Sequence, residues 1–256
     1  MDINLKTYLS DEVVTYYSGS KDLQKPEETI LKLLADKLPA MRMLDIGVGA
    51  GRTTVHFAHR VKQYQAIDYS EKMIAACKKR FEGKIAENVF SVLDIRNLGS
   101  FAENSFDFVL FSFNGIDHIS MDERITAFQD IRKTLSSGGY FCFSTHNIQC
   151  IPNWLNIQFR WNVFEVVKRI FRQAKVKTIN KQALDNYKAK DYVLLNDGAH
   201  DFGSEIHYAR PSWQIKSLKQ CGFNEIRIFS LKTGAELTSE GEISANIDKW
   251  LYFLCF

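Results

Sequence analysis

Asp45-x-Gly47-x-Gly49-x-Gly51-Arg52 closes the apolar run that begins at Met41. Glycines at that spacing let the chain turn through positive φ and bring backbone N–H groups against a ligand, because no Cβ holds the ligand off. Asp68 ends a second apolar run, about 20 positions further on, a separation at which a carboxylate accepts hydrogen bonds from both hydroxyls of a ribose. A third run, Val89 to Leu93, ends in Asp94-Ile95, and a fourth, Phe106 to Phe111, ends in Ser112-Phe113-Asn114-Gly115-Ile116-Asp117-His118. His118 and, after a fifth run, His146 carry side chains that titrate near neutrality and suit proton transfer. His200 and His207 lie further along with Asp197, Asp201 and Tyr208. No second cluster near them has zinc-like spacing, so no metal is assigned.

The elements that would position these residues alternate. A helix opens at Pro26 and runs to Leu38, with proline in its first turn. Strand Met41–Ile46 leads through the glycines to a helix over Arg52–Arg60. Strand Tyr64–Ile67 leads through the cap Ser70-Glu71 to a helix over Lys72–Phe81. Ile125, Phe128, Ile131 and Leu135 recur at helical spacing within Asp122–Leu135, Ser136 to Gly139 stop that helix, and Tyr140–Thr145 is a fifth strand. A helix at Pro211–Gln220 and strands at Glu225–Phe229 and Lys249–Leu254 close the chain. Strand, helix, strand in succession predicts an α/β doubly wound sheet, in which ligands meet the carboxyl ends of the strands.

Two phosphate-binding loops are excluded by spacing. A dinucleotide fingerprint wants a glycine where Arg52 stands, and a Walker loop wants Gly-Lys-Ser/Thr after the glycines. The Asp-x-Gly-x-Gly-x-Gly loop, with Asp68, Asp94 and the end of the fourth strand, resembles the class I S-adenosylmethionine (SAM)-dependent methyltransferases. That resemblance spans nearly the whole chain and is loosest over 150–210. It implies a Rossmann-like seven-stranded sheet, mostly parallel with an antiparallel last strand, forming one domain over 1–256 with an inserted substrate-cap segment at 148–210. It implies SAM as methyl donor and S-adenosylhomocysteine (SAH) as product. Cofactor contacts are then expected from Tyr16, Asp45, Gly47, Gly49, Gly51, Arg52, Asp68, Tyr69, Met73, Asp94, Ile95, Ser112 and Asn114. Asp45 faces the positive end of the methionine, and Arg52 either pairs with its carboxylate or is a surface arginine at a helix start. Asp94 reaches the adenine amino group while Ile95 covers the ring. Tyr16 and Tyr17 either close over the sulfonium or pack an N-terminal helix on the core. His118 and His146 are expected to border the acceptor as catalytic residues, with Tyr17, Asn147 and Tyr208 on the substrate side and Asn147 fixing His146 or the substrate.

The acceptor is expected to be a small molecule: a sugar, a phosphorylated metabolite, an amino-acid derivative or a natural-product intermediate, methylated on oxygen or nitrogen. Phe111 to Asp117 and Ser137 to Asn147 resemble a bacterial small-molecule or polysaccharide-precursor group. Asn/Asp-Pro-Pro-aromatic, typical of enzymes that methylate a flipped base, is replaced here by Ser112-Phe113-Asn114-Gly115. Together with a net charge of only +3, this weighs against nucleic acid. An RNA methyltransferase and a non-catalytic binding module are the competing classes. Between Asn147 and Arg210, Trp154, Phe159, Trp161, Phe164 and Phe171 lie among Arg160, Lys168, Arg169, Arg172, Lys175 and Lys177, a basic aromatic stretch that mildly favours an anionic acceptor and otherwise reads as a solvated helix with an apolar underside or as a segment lying on a membrane surface. No apolar run approaches the roughly 18 residues of a membrane span. Met1 to Lys6 lacks the features of a signal peptide. The five cysteines are scattered without a C-x-x-C pair. A cytoplasmic protein, monomer or homodimer, is the expectation.

Overall fold

The structure is a computed structural model and describes residues 11–154 and 163–256. In chain order the strands are β1 (Arg42–Ile46), β2 (Gln63–Asp68), β3 (Phe90–Val92), β4 (Phe106–Phe111), β5 (Leu135–Asn147), β6 (Tyr192–Leu195), β7 (Ile206–Ala209), β8 (Ile226–Ser230), β9 (Glu236–Leu237) and β10 (Trp250–Cys255). The α-helices are α1 (Asp11–Gly19), α2 (Lys25–Leu33), α3 (Thr54–Phe57), α4 (Glu71–Arg80), α5 (Met121–Thr134), α6 (Ile151–Trp154), α7 (Val163–Ile179), α8 (Lys181–Asn186), α9 (Pro211–Gln220) and α10 (Glu240–Ala245). One sheet runs β3-β2-β1-β4-β5-β10-β8-β9. β1 to β5 pair in parallel, and β10 enters antiparallel between β5 and β8. This is the doubly wound sheet with an antiparallel last strand that the alternation and the resemblance predict.

Both faces of the sheet are covered, which is why its central strands read as unbroken apolar runs. Along β4, Val109 and Phe111 pack with Phe128, Ile131 and Phe143 on one face. Phe108 and Leu110 pack with Ile30, Phe57 and Cys77 on the other. All five cysteines are buried free thiols. β1 lies between β2 and β4, and the strand order reverses there, so a crevice opens at the carboxyl ends of these strands.

Several boundaries differ from expectation. The helix predicted over Arg52–Arg60 is the single turn α3, because the chain is still in a positive-φ turn at Gly51. The helix predicted to Leu38 ends at Leu33, and a 3₁₀ turn at Leu38–Ala40 carries the chain into β1. β5 begins at Leu135, pairing with Phe106, and slips register before Tyr140 pairs with Phe108. At its other end β5 outruns β4. Their last pair is Phe111 with Phe143, and the edge so freed takes β7 in parallel, His146 opposite Tyr208 and Asn147 opposite Ala209. β6 completes an antiparallel hairpin with β7. The segment 148–210 therefore leaves and rejoins the sheet at the ligand-binding end. Phe159, Arg160 and Trp161 lie outside the described residues, as do the side chains of Tyr16, Trp154, Phe164, Arg169, His200 and Asp201.

Candidate functional site

The crevice is a pocket of about 1070 Å³, its open mouth included. Asp45, Gly47, Gly49, Arg52, Asp68, Tyr69, Met73, Asp94, Ile95 and Ser112 line it, and so do Tyr17 and His118. Three glycines share positive φ but not one role. A Cβ at Gly51 would run into the Phe81 ring and come within 2.9 Å of Cys77 Sγ, so this glycine lets α4 pack and does not reach the pocket wall. A Cβ at Gly49 would meet no protein atom within 4 Å, so the space beside it is left to a ligand. Gly47 stands against the Phe111 ring.

Asp68 crosses from β2 to the glycine loop. One oxygen accepts the Gly49 N–H at 2.9 Å and the other the Ser70 N–H at 2.8 Å. Burial pushes its pKa up to about 6 despite those two bonds. Asp45 behaves alike: burial raises it to about 6 against hydrogen bonds from Thr53 and from Tyr64 at 2.7 Å. Asp94 caps the 3₁₀ turn Ile95–Ser100 and takes the Arg96 fork. Burial alone would raise its pKa, yet Arg96 holds it below the ordinary carboxylate range.

Arg52 does not stand at the surface with its charge available. Both guanidinium Nη atoms are held by buried Glu27 of α2, at 2.6 and 2.7 Å, and it also donates to Ser112. Ser112 and Tyr252 in turn donate to Glu27. With Arg52 offset by Glu27 and Arg96 by Asp94, the pocket keeps two carboxylates without a cation, Asp45 and Asp68. A ligand bearing net positive charge complements that wall, and the open space beside Gly49 admits it. Each carboxylate oxygen of Asp68 also retains capacity for a further donor. SAM fits these residues: its two cationic groups against one carboxylate match the charge, and the ribose would meet Asp68.

The turn after β4 closes the other end. Phe113 and Asn114 both sit in the left-handed region, at φ 62 and 61, a conformation that persists only where surroundings enforce it. The enforcement is visible. Asn114 N–H donates to Ser144 at 2.9 Å, which draws it off the pocket wall where a cofactor contact is expected. Asp117, fully buried, accepts from Arg124 and Thr145 on one oxygen and from the His146 N–H and Nδ1 on the other, at 2.8 and 2.7 Å. Burial would raise Asp117, but the Arg124 charge and the His146 bond bring it down to about 2. Arg124 is itself fully buried and reaches Gln214 at 2.7 Å.

These bonds separate the two histidines. His118 lines the pocket, whereas His146 lies beneath the turn, its ring against Tyr208 and Trp250. Trp250 in turn meets Phe113, a lining ring. Asn147 does not hold His146: its amide donates to Asn246 O and its oxygen caps Gln149 N–H, because β5 must end there. Tyr208 is completely buried with its hydroxyl on Asp197 at 3.0 Å, so it supports the site from below. Sequence reasoning missed Glu27, Arg124, Leu93 and Ile119. The first two read as ordinary charged positions on amphipathic helices, and the last two as apolar residues beside recognised motifs.

Residues 43–139 match the family model described as a methyltransferase domain. Phosphoethanolamine N-methyltransferase 2 of Caenorhabditis elegans is 37% identical over 112 residues, covering 43% of this chain and 25% of that protein. The chain spans a quarter or less of the length of the curated relatives it matches. Among solved structures, a SAM-dependent methyltransferase from Clostridium acetobutylicum superposes with a TM-score of 0.60 at 15% identity, over 90% of each chain. The 1,6-didemethyltoxoflavin-N1-methyltransferase of Burkholderia thailandensis, solved with its substrate and SAH, superposes with a TM-score of 0.53 at 15% identity, over 90% of this chain and 77% of that one.

Proposed function

We propose that this chain, which carries a class I SAM-dependent methyltransferase domain, transfers a methyl group to an oxygen or nitrogen of a small-molecule acceptor. SAM supplies a methyl group made electrophilic by its sulfonium. The pocket's pair of carboxylates without cations, beside the open face of Gly49, is the observation that carries this reading. Asp68 holds the ribose, Asp94 and Ile95 the adenine, and Asp45 the cationic end of the methionine. Arg52 serves as a donor already oriented by Glu27. Tyr17, Phe113, His118 and Ile119 enclose the acceptor and exclude water, which leaves alignment as the principal task. His118 takes the acceptor's proton where the acceptor carries one. His146, with Nδ1 on Asp117, stands behind as a second base or as the anchor of the turn. Segment 148–210 is the substrate cap, since its β6–β7 hairpin is seated on β5 and packs on the turn that holds His118.

The small-molecule class draws on the activities that the worm and Burkholderia relatives are named for, and on the absence of a base-flipping motif. Sugars, phosphorylated metabolites, amino-acid derivatives and natural-product intermediates remain the candidate acceptors. Methyl-labelled SAM, the purified protein and a cell extract separated into metabolites, nucleic acids and proteins test the proposal. Label is expected in the metabolites and is lost with Asp68→Ala. Label in RNA would overturn the acceptor class, and failure to bind SAH would overturn the catalytic reading.

A further inference from the structure

We infer that helix α7 docks this protein on the surface of an anionic phospholipid bilayer. Of the eight large hydrophobic side chains exposed among the described residues, four lie on this one helix: Val167, Ile170, Phe171 and Ile179, with Phe171 71% exposed. At 3.6 residues per turn, Val167, Ile170, Phe171 and Ala174 fall within an arc of about 100°. Val176 and the following Asn180 are buried on the opposite side, Val166 is buried at the edge of the stripe, and Ile179 lies outside the arc. The inner face is tied down independently of the outer one, by Arg172 to Gly198 O at 2.9 Å and, just past the helix end, by Asn180 bonding Asn196 through both its amide nitrogen and its amide oxygen. The stripe is thus a second apolar face on a helix whose first is already used.

Charge selects the occupant. Five basic residues and one acidic residue give α7 a formal +4, more than the +3 of the whole chain, so everything outside this helix sums to −1. Lys168 and Lys175 flank the stripe on one side, Lys175 with its Nζ 4.0 Å over the Phe202 ring, and Lys177 flanks it on the other, all exposed. An apolar band buried into the headgroup boundary, with lysines reaching anionic headgroups on both sides, satisfies both features together. A second copy of the chain would bring +4 against +4. A nucleic acid would meet the lysines but leave Phe171 and Ile170 against phosphate. Among the described residues no helix is long and apolar enough to cross a membrane, so α7 would lie along the bilayer.

Co-sedimentation with vesicles of phosphatidylcholine alone, and of phosphatidylcholine with phosphatidylglycerol, tests the inference without reference to the methyl acceptor. Partition onto the anionic vesicles is expected, weakening as added salt shortens the screening length from about 10 Å to about 3 Å. Phe171→Ser should lower the partition coefficient about tenfold. Lys177→Gln should lower it about fivefold, the ~1 kcal/mol a basic residue contributes at such a surface. Both variants should keep the parent melting temperature and SAH affinity. No partition, equal partition onto neutral vesicles, or indifference to Phe171→Ser would overturn the inference. A dimer in sedimentation that Phe171→Ser dissociates, without vesicle binding, would assign the face to a second copy. Retention on RNA in place of vesicles would assign it to nucleic acid.

Discussion

Asp117→Asn isolates the element that fixes the turn after β4 at the end of the pocket. Asparagine keeps the shape of aspartate, so no cavity is created and the loss reports charge and hydrogen bonding alone. Arg124 Nη1 and the Thr145 hydroxyl meet one oxygen of Asp117 and two His146 donors meet the other. An amide must therefore point an N–H₂ at donors on one side or the other. Arg124, fully buried, is left with its charge uncompensated. Breaking a buried pair from one side costs about 3–5 kcal/mol, a large share of the roughly 5–15 kcal/mol that holds a folded domain. For a chain of this size that is a fall in Tm of roughly 6–20 °C. The pH dependence follows from Asp117's depressed pKa of about 2. Its stabilisation is complete above the unfolded-state pKa near 4 and is lost as pH falls through about 2. The variant should accordingly lack that part of the acid limb. Urea unfolding between pH 2 and pH 7 measures both effects. A loss below about 1 kcal/mol at pH 7 would refute the reasoning, since it would mean that Arg124 is solvated or never carried its charge inside. Recovery of most of the loss in Asp117→Leu combined with Arg124→Met would place the cost in the orphaned charge rather than in the turn.

Asp45 and Asp68, each raised to about 6, carry the opposite sign: the folded state holds more protons than the unfolded one between about pH 4 and pH 6. Their contribution to stability is present at low pH and lost as pH rises through about 6, while SAM affinity should rise over the same interval and binding near pH 6 should release protons. Calorimetry in buffers of different ionisation enthalpy reads that release, and its absence would remove these carboxylates from the cofactor contacts. Gly49→Ala should cost about 1–2 kcal/mol for its left-handed φ and also weaken SAH binding. Gly51→Ala should destabilise further through the Phe81 and Cys77 clash, and equal effects of the two on SAH affinity at matched stability would contradict the division of labour among these glycines. His118→Asn should lower methyl transfer far more than SAH affinity, whereas His146→Ala should lower transfer and Tm together because Asp117 loses a donor. Unchanged transfer in His118→Asn would move the base elsewhere.

The pocket lining at the ends of β1 to β3 was legible because each of its parts is local. A glycine spacing, an aspartate at a strand end and an Asp-Ile pair carry their geometry with them once the strands are placed, and the strands announce themselves as apolar runs. The partner of Arg52 was not legible. Glu27 follows Pro26 in the first turn of α2, a position where an acidic residue caps the helix, and its carboxylate does accept the Gln24 N–H. Its second contact, with Arg52, exists only because α2 folds against the glycine loop. Arg124 is hidden for a different reason: on α5 it shares the buried face with Ala127, Phe128 and Ile131, but its charge makes it read as solvent-facing, and only the packed structure gives it Asp117 to neutralise it.

The two histidines show where strand-end reasoning stops. The sequence pattern sets both just after central strands and so on the same edge of the sheet, whereas His146 lies within β5. Which of them meets a ligand depends on a difference of length between β4 and β5. β4 ends opposite Phe143, so the chain after Phe111 must turn across the end of the sheet, carrying Phe113 and His118 to the pocket. β5 continues to Asn147 beneath that turn, where the Asp117 carboxylate takes the His146 ring and β7 takes its backbone. A four-residue extension thus keeps His146 out of the pocket lining and makes it part of the support for the turn that carries His118. The same extension provides the edge on which the 148–210 segment is seated. The support beneath the turn that carries His118 and the seat of the β6–β7 hairpin therefore share a single feature, the four residues by which β5 outlasts its neighbour.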